Sequence, residues 1–334
     1  MDKLEIDATE RLALLRLLDD LEGESENLDS DETLDHITVM AHELPGRIRH
    51  TLNAFRRERM SGLLCISGHI VDQDRVGRTP VHWRDRPCPS TTWREELLLL
   101  LFGSLLGDPF CWATQQNGRL VHDVLPIKGH EHEQLGSSSA AVLSWHTEDA
   151  FHPLRGDFVG FSCLRNPYAA VTTIGYAESL NLPAAIKNVL FEKRFSIHPD
   201  ESHLAKNNSV AGDTGLFTAI DEMQENPDLV AVFFGDPDRP YIRADPYFMR
   251  VSSDDSEAQE ALNYLVKQMD ENMFDLRLES GDFCFLDNHR IVHGRKPFKA
   301  RHDGTDRWLK RINISCDLRK SRGSLQPGSL RAIS

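Results

Sequence analysis

The sequence predicts a mainly β fold with flanking helices, built as an antiparallel sandwich or barrel. From about Phe110 onward, short runs of β-branched and aromatic residues recur between Gly, Pro, Asp and Asn turn signals. The first sixty residues instead carry a leucine pattern typical of helices. No glycine-rich turn joins a strand to a helix, which argues against a nucleotide-binding α/β fold.

Helices dominate the first hundred residues. A leucine stripe between Leu12 and Leu21 predicts the first helix, and a second pattern starts near Glu32. A leucine-rich helix that ends near Gly107 follows Thr92-Trp93-Arg94-Glu95, which has the spacing of a capping box. We therefore expect a mainly helical N-terminal flank over residues 1–109.

The remainder of the chain predicts a strand-rich core with further helices at about 183–193 and 254–274. Its last dozen residues are rich in Ser, Gly and Pro, which favours a loose tail. We expect strands at 158–164, 171–174, 229–234, 276–279, 283–286 and 308–316. The predicted parts of this single domain (1–334) are the flank, a core at 110–320 with a helical insert at about 183–228, and a loose tail at 321–334.

Composition narrows the possible partners and location. Lys and Arg number 38 against 52 Asp and Glu, and the net charge of −14 disfavours nucleic acid. It suits a small cationic ligand, although solubility alone explains it equally well. No run of eighteen apolar residues exists, so we expect no membrane span. The six cysteines are scattered and the N-terminus is charged, which favours the cytoplasm.

The densest cluster of chemically active residues runs from Leu143 to His152. On a strand, His146 and Glu148 would face the same way and offer two ligands of a two-His, one-carboxylate metal site. The pattern His-x-Asp/Glu is expected by chance about twice in a chain of this composition, and it occurs twice, the other being His198/Asp200. A structural or surface histidine therefore remains the alternative for this motif alone.

A second cluster lies near the C-terminus. Residues 281–295 predict a turn, a strand and a histidine-bearing segment that includes His293. In the strand that follows, Arg307, Leu309 and Arg311 share one face, and two guanidinium groups on one face suit carboxylates. A solvated basic edge strand is the alternative interpretation.

Together these residues resemble the clavaminate synthase-like branch of the Fe(II)/2-oxoglutarate oxygenases. His146 and Glu148, then His293, then arginines fourteen and eighteen residues later match its pattern. The similarity to the free-arginine hydroxylases of that branch, of the viomycin-pathway type, is closer. It extends through His42–Pro45, Thr79–Arg84, Gly107–Asp108, Trp112–Gln116, Asp123–Gly129, Trp145–Phe151, Leu164–Pro167 and Asp306–Ile314.

The resemblance implies a double-stranded β-helix core, the jelly roll of cupin-like proteins. It implies that Fe(II) is bound by the catalytic triad His146, Glu148 and His293, with 2-oxoglutarate and O2 as co-substrates. Arg307 would pair with the distal carboxylate of 2-oxoglutarate, and Thr173 would hydrogen-bond the same group.

The resemblance also implies a substrate pocket for a free amino acid. Arg311 would hold the α-carboxylate, and Gln115 with Glu148 would flank the α-amino group. Asp245 would face the end of the substrate side chain, and a loop that includes Ser137 would line the pocket. The implied activity is hydroxylation at C3 or C4, most directly of L-arginine, in natural-product biosynthesis.

One position departs from the arginine-hydroxylase pattern. These enzymes have a second acidic residue two positions after the one that matches Asp245, where this chain has Tyr247. Two carboxylates suit a guanidinium group, whereas one carboxylate and a phenol would equally suit citrulline or lysine. Tyr247 either contacts the substrate or points away from it. Desaturation instead of hydroxylation also stays open.

Two other classes of protein compete with this interpretation. A zinc hydrolase could use the same three ligands but would have no use for Arg307 and Arg311. A non-catalytic jelly-roll binding protein would be expected to lack a ligand or the oxoacid arginine. His289, four residues before His293, is an alternative metal ligand that fits the arginine spacing less well. The sequence makes no prediction of oligomeric state.

Overall fold

Two β-sheets, one of eight strands and one of four, organise the described residues. The computed structural model describes residues 1–22, 27–208 and 215–334. Residues 209–214 of the expected helical insert therefore lie outside the described residues. The α-helices within these ranges are α1 (Ala8–Glu22), α2 (Asp31–Met40), α3 (Gly46–Arg56), α4 (Gln73–Val76), α5 (Trp93–Ser104), α6 (Ala184–Leu190), α7 (Thr218–Glu225) and α8 (Ser256–Asn272).

The mainly β architecture predicted from the sequence is confirmed, and the other expected strands are present with small shifts at their ends, whereas the strand expected at 276–279 forms at Phe274–Leu276 and shares only Leu276 with the prediction. The segment expected as one strand at 229–234 forms two. The strands are β1 (Asp2–Glu5), β2 (Leu63–Ser67), β3 (Asp108–Trp112), β4 (His122–Val124), β5 (Leu143–His146), β6 (Phe158–Arg165), β7 (Thr172–Tyr176), β8 (Phe195–Ile197), β9 (Leu229–Val230), β10 (Phe233–Asp236), β11 (Arg239–Ile242), β12 (Met249–Val251), β13 (Phe274–Leu276), β14 (Phe283–Asp287), β15 (Ile291–Arg295), β16 (Trp308–Ser315) and β17 (Ala332–Ile333).

The larger sheet has the order β1-β2-β14-β6-β16-β3-β17, with β4 also paired to β16. The smaller sheet has the order β13-β7-β15-β5. One apolar cluster takes residues from both sheets, among them Ile174 of β7, Cys284 of β14 and Leu309 of β16, so the inner faces of the sheets pack against each other. This is the two-sheet jelly roll that the resemblance implied.

Side chains along β16 point alternately to the cavity on one face of the strand and to the helical layer on the other. Leu309 and Arg311 point to the space between the sheets, where both line the main cavity. Ile312 and Ile314 point to the opposite face and pack with leucines of α1, α2 and α5. The predicted N-terminal helices therefore cover the outside of the larger sheet, and their leucine stripes are explained by this burial.

One detail of the sequence-based prediction is corrected at the C-terminal end. The flank at 1–109 is mainly helical and also contributes β1 and β2, which pair in parallel in the larger sheet. The tail expected to be loose is docked, because Ile333 is fully buried and β17 pairs with β3. Arg331, beside this strand, forms an ion pair with Asp35 at 2.8 Å.

Helix α5 begins where the sequence predicted it, but the prediction of a capping box at its start is wrong. The Thr92 side chain makes no hydrogen bond to the helix backbone and bonds instead to the Glu96 carboxylate.

Among the described helices, none combines the length and apolar character needed to cross a bilayer.

Candidate active site

Three predicted ligands converge between the two sheets. His293 on β15 stands opposite His146 on β5 in the antiparallel register, and the two rings lie 4.6 Å apart. A carboxylate oxygen of Glu148, Oε2, lies 3.3 Å from His293 Nε2 and 3.7 Å from His146 Nε2. One ligand atom from each residue therefore falls within 4.8 Å of the others, close enough to hold one metal ion.

Neighbouring groups orient these ligands. β5 ends at His146, so Glu148 follows the strand instead of sharing its alternation as expected. Its backbone is held by Asn288, whose side chain accepts from Glu148 N at 2.9 Å and donates to Glu148 O at 3.1 Å. His146 Nδ1 lies 2.8 Å from Ser144 O and can only donate to it, which leaves Nε2 as a lone-pair ligand.

The charges in this cluster fit a cation. Burial would raise the pKa of Glu148, but Arg311 and the two histidines hold it well below its usual range. Burial opposes protonation of His146, yet its hydrogen bond to Glu148 and the charge of Asp245 raise its pKa to about 9. A buried carboxylate that faces two imidazoles is a donor set that fits Fe(II).

The main cavity contains an arginine that lacks an anion. Arg307 is 7% exposed and lines the cavity, and no carboxylate of the described residues pairs with its guanidinium group. Burial lowers its pKa to about 10. A buried cation without a counter-ion is costly, and a carboxylate bound in the cavity beside Arg307 would offset this cost.

The threonine beside this carboxylate site is Thr172, which corrects the expectation of Thr173. Thr172 and Ile174 of β7 line the cavity, whereas Thr173 lies between them on the opposite face of the strand. Thr173 sits across from Gly294, and its hydroxyl lies where a side chain at Gly294 would project. A shift of one residue reverses the face because strand side chains alternate.

Arg311 occupies the other side of the metal cluster. Its Nη1 forms an ion pair with Glu148, and its Nη2 donates to Gln115 Oε1 at 3.1 Å and to His122 Nδ1 at 3.0 Å. Gln115 is buried and donates in turn to Ser202. The structure therefore brings together Arg311, Gln115 and Glu148 as expected.

Ser137 lies nearby but not in the main cavity. It lines a polar side cavity, which it shares with Gln115, His122 and Arg311, and its hydroxyl lies 2.9 Å from His130 Nδ1. The main cavity is bordered at this point by Gly136 instead. Ser137 therefore faces the far side of Arg311 and not the metal cluster.

Aspartate side chains also line the main cavity. Asp245 is buried there, and burial raises its pKa to about 6. Asp200 lines the same cavity, and its negative charge also raises the pKa of Asp245. Tyr247 does not line the cavity; it is 53% exposed and packs on Phe248. Asp200, from a segment distant in the chain, thus lines the cavity as a second acidic side chain in addition to Asp245, and Tyr247 points away from the cavity.

Two rival clusters have structural explanations. His289 lies 3.5 Å from Asp157 and apart from the three ligands. Asp149, Asp200 and His203 also come close enough to hold a cation. However, Asp149 accepts from Trp112 and Asn313, and His203 bonds to Asp149 and Thr114, so these buried groups already satisfy one another.

Sequence reasoning missed Thr172, Asp200, His122 and Asn288. Asp200 did appear in it as the second chance match to the His-x-Asp/Glu pattern. Alternation from Ile174, an apolar residue of a predicted strand, would have favoured Thr172. We find no sequence signal for His122 or Asn288, because their roles depend on strands that are far apart in the chain.

Comparisons with known proteins agree with this geometry. Residues 181–313 match the model of the taurine catabolism dioxygenase TauD, TfdA family. The chain is 45% identical over 333 residues to an L-ornithine/L-arginine 3-hydroxylase of Catenulispora acidiphila, covering 96% of each chain. It is 42% identical over 329 residues to an enduracididine beta-hydroxylase of Streptomyces hygroscopicus, again covering 96% of each. The crystal structure of the non-heme iron oxygenase OrfP with Fe, succinate and (3S)-hydroxy-L-Arg superposes with a TM-score of 0.95, at 42% identity and full coverage of both chains.

Proposed function

Because the chain belongs to the TauD/TfdA family of Fe(II)/2-oxoglutarate-dependent oxygenases, we propose that it hydroxylates free L-arginine at C3. The observation that carries this proposal is the placement of opposite charges in one cavity. Arg311 lines the same cavity as Asp245 and Asp200, together with the metal cluster. A free amino acid with a cationic side chain matches both the positive and the negative groups of this cavity.

We assign the cofactors to the residues that fit them. His146, Glu148 and His293 hold Fe(II), and Arg307 with Thr172 holds the distal carboxylate of 2-oxoglutarate. When bound, these groups activate O2 and allow removal of a hydrogen atom from a C–H bond, with succinate and carbon dioxide as co-products. A zinc hydrolase is disfavoured because the unpaired Arg307 would have no role in it.

The pair of carboxylates decides among the candidate substrates. A planar guanidinium group can donate to Asp245 and Asp200 at once, and both charges favour a cation over the neutral ureido group of citrulline. Lysine and ornithine are also cationic, but an ammonium group is a point charge without the fork that bridges two carboxylates. The name of the Catenulispora relative makes ornithine the second candidate.

The protein's task in catalysis is to hold the substrate. Arg311 binds the α-carboxylate, Gln115 and the oxygen atoms of Glu148 face the α-amino group, and the acidic end fixes the guanidinium. A substrate held at both ends presents one stretch of its side chain to the metal cluster. The names of the two relatives and the (3S)-hydroxy product bound to OrfP support C3 as the position oxidised.

Mass spectrometry of reaction mixtures tests the proposal. The enzyme would be incubated aerobically with Fe(II), 2-oxoglutarate and ascorbate, and with arginine, citrulline, homoarginine, lysine or ornithine. We expect one added oxygen atom on arginine, located at C3 by fragmentation, and succinate in equal amount. Loss of two hydrogen atoms would instead establish desaturation. Modification of citrulline but not arginine would refute the role of the acidic end.

Matched variants separate the two ends of the cavity. Asp200→Asn and Asp245→Asn keep the shape of the side chain and remove its charge, so we expect a higher KM for arginine and an unchanged KM for 2-oxoglutarate. Asp275→Asn is the control, because Asp275 is exposed and pairs with Lys296. His146→Ala or His293→Ala should abolish turnover, and full activity in either would contradict the ligand assignment.

We further propose that the enzyme is cytoplasmic and acts in natural-product biosynthesis. All six cysteines are free thiols, which supports a reducing compartment. The hydroxylated amino acid is the kind of building block that the resemblance to the viomycin-type enzymes implies. We also propose that residues 1–334 act as one catalytic domain, because β2 and β14 pair across the expected boundary at residue 109.

A further inference from the structure

A buried histidine stands directly beside Arg311 in the larger sheet. In the registers of β4, β16 and β6, His122 is opposite Arg311, and Arg311 is opposite Phe161. Residues paired in this way project from the same face of a sheet, so His122 and Arg311 are side by side on the cavity face. His122 is 3% exposed and lines the side cavity together with Arg311.

The contact between these two side chains fixes the state of the imidazole. Arg311 Nη2 lies 3.0 Å from His122 Nδ1, and a guanidinium group can only donate hydrogen bonds. His122 Nδ1 therefore accepts, and the ring proton is on Nε2. Burial, reinforced by the charge of Arg311, holds the pKa of His122 well below its usual range, so the ring stays neutral and remains an acceptor.

His122 and Gln115 together use both hydrogen atoms of Arg311 Nη2. Nη2 donates to Gln115 Oε1 at 3.1 Å as well as to His122. Nη1 pairs with Glu148, while Nε is buried and has no partner among the described residues. The guanidinium is thus turned so that Nη2 is held by two neutral acceptors and Nη1 faces Glu148, which leaves the Nε–H as the donor available to an anion.

We propose that His122 is a positioning residue that fixes the rotation of the Arg311 guanidinium and so presents its Nε–H to the substrate α-carboxylate. This inference rests on the proposed function of Arg311. Without an acceptor at Nδ1, Nη2 loses a partner and the group is able to turn toward Glu148. A two-point pairing of Arg311 with Glu148 would then compete both with the substrate and with the metal for the same carboxylate.

Two loss variants and one conservative variant of the holoenzyme test this role. His122→Leu removes the acceptor at similar volume, and His122→Gln places its amide farther from the backbone, near the former Nε2 position. His122→Asn keeps an oxygen acceptor close to the Nδ1 position. We expect His122→Leu and His122→Gln to raise KM for arginine about tenfold, the usual worth of a hydrogen bond to a charged group. We expect His122→Asn to stay within about threefold of the parent.

The KM for 2-oxoglutarate separates positioning from general damage. Arg307 and Thr172 lie away from His122, so this KM should change by less than about twofold in all three variants. Thermal unfolding with and without 2-oxoglutarate would show which variants fold. If His122→Leu fails to fold, His122→Gln against His122→Asn still gives the comparison.

Arg311→Lys distinguishes failure of this inference from failure of the proposed function. If Arg311→Lys raises KM for arginine while the His122 loss variants leave it unchanged, His122 does not position Arg311. An Asn variant as poor as the Leu variant would also overturn the inference, because the acceptor at Nδ1 would then be irrelevant. If Arg311→Lys itself leaves KM for arginine unchanged, the error lies in the assignment of Arg311.

Discussion

Arg307 offers a test in which function and stability are expected to oppose each other. Its guanidinium is buried, and burial lowers its pKa from 12.5 to about 10. The folded protein therefore disfavours the charged form that it must hold at neutral pH. A shift of this size corresponds to about 3–4 kcal/mol at most, because one pKa unit is about 1.4 kcal/mol. The penalty is present below pH 10 and fades as the pH rises towards the unfolded value.

We expect Arg307→Met, which retains length and removes the charge, to stabilise the ligand-free protein by about 1–3 kcal/mol. The same variant should lose most of its affinity for 2-oxoglutarate. Urea unfolding at pH 7.5, with and without 2-oxoglutarate, measures both effects. In the parent protein a ligand at a hundred times its Kd should add about 2.7 kcal/mol, and in the variant it should add almost nothing.

Two outcomes would refute this reasoning. A ligand-free variant less stable than the parent would mean that Arg307 has a stabilising partner and is not an unpaired charge. An equal stabilisation of both proteins by 2-oxoglutarate would mean that the distal carboxylate binds elsewhere. Arg301→Met is the matched control, because Arg301 is exposed and pairs with Asp303.

Three further predictions concern the geometry around the metal cluster. Since burial raises the pKa of Asp245 to about 6, kcat/KM for arginine should fall about tenfold per pH unit below pH 6, when the neutral acid no longer attracts the guanidinium; a flat profile down to pH 5 would contradict this. Asn288→Ala should weaken Fe(II) binding about 10- to 100-fold, measured by metal titration, because the Glu148 backbone loses its anchors. Gly294→Ala should also weaken Fe(II) binding, because the added Cβ would come 2.6 Å from Leu143 O and push β5, which carries His146, away. Gly323→Ala is the control and should bind the metal normally, because Gly323 has open space around it.

Local patterns explain why much of the fold was predictable. Leucine spacing in the flank and short β-branched runs after Phe110 report which faces are buried, and the burial of apolar surface is the main driving force of folding. The tail was not predictable in this way. Ile333 lies in a short segment with no clear hydrophobic periodicity, and its burial depends on β3, more than two hundred residues earlier.

The same contrast between local patterns and long-range packing applies to the residues of the site. His146, Glu148, His293, Arg307 and Arg311 were predicted as site residues because the order and spacing of such residues match a known pattern. Thr173 was wrong by one residue, since the face of a strand is decided by its pairing partners. Asp200 was missed because it reaches the cavity from a segment 45 residues before Asp245, and no local pattern links the two.

The sequence by itself therefore determined the β architecture, and its resemblance to a known family predicted the metal ligands and the oxoacid arginine. These features depend on residue types at fixed spacings and on periodicities of one segment at a time. Only the tertiary structure decided that Tyr247 points outward, that Asp200 provides the second carboxylate, and that His122 holds Arg311. These depend on which strands and loops meet, because side-chain contacts across a sheet or a cavity are set by long-range packing and not by neighbours in the chain.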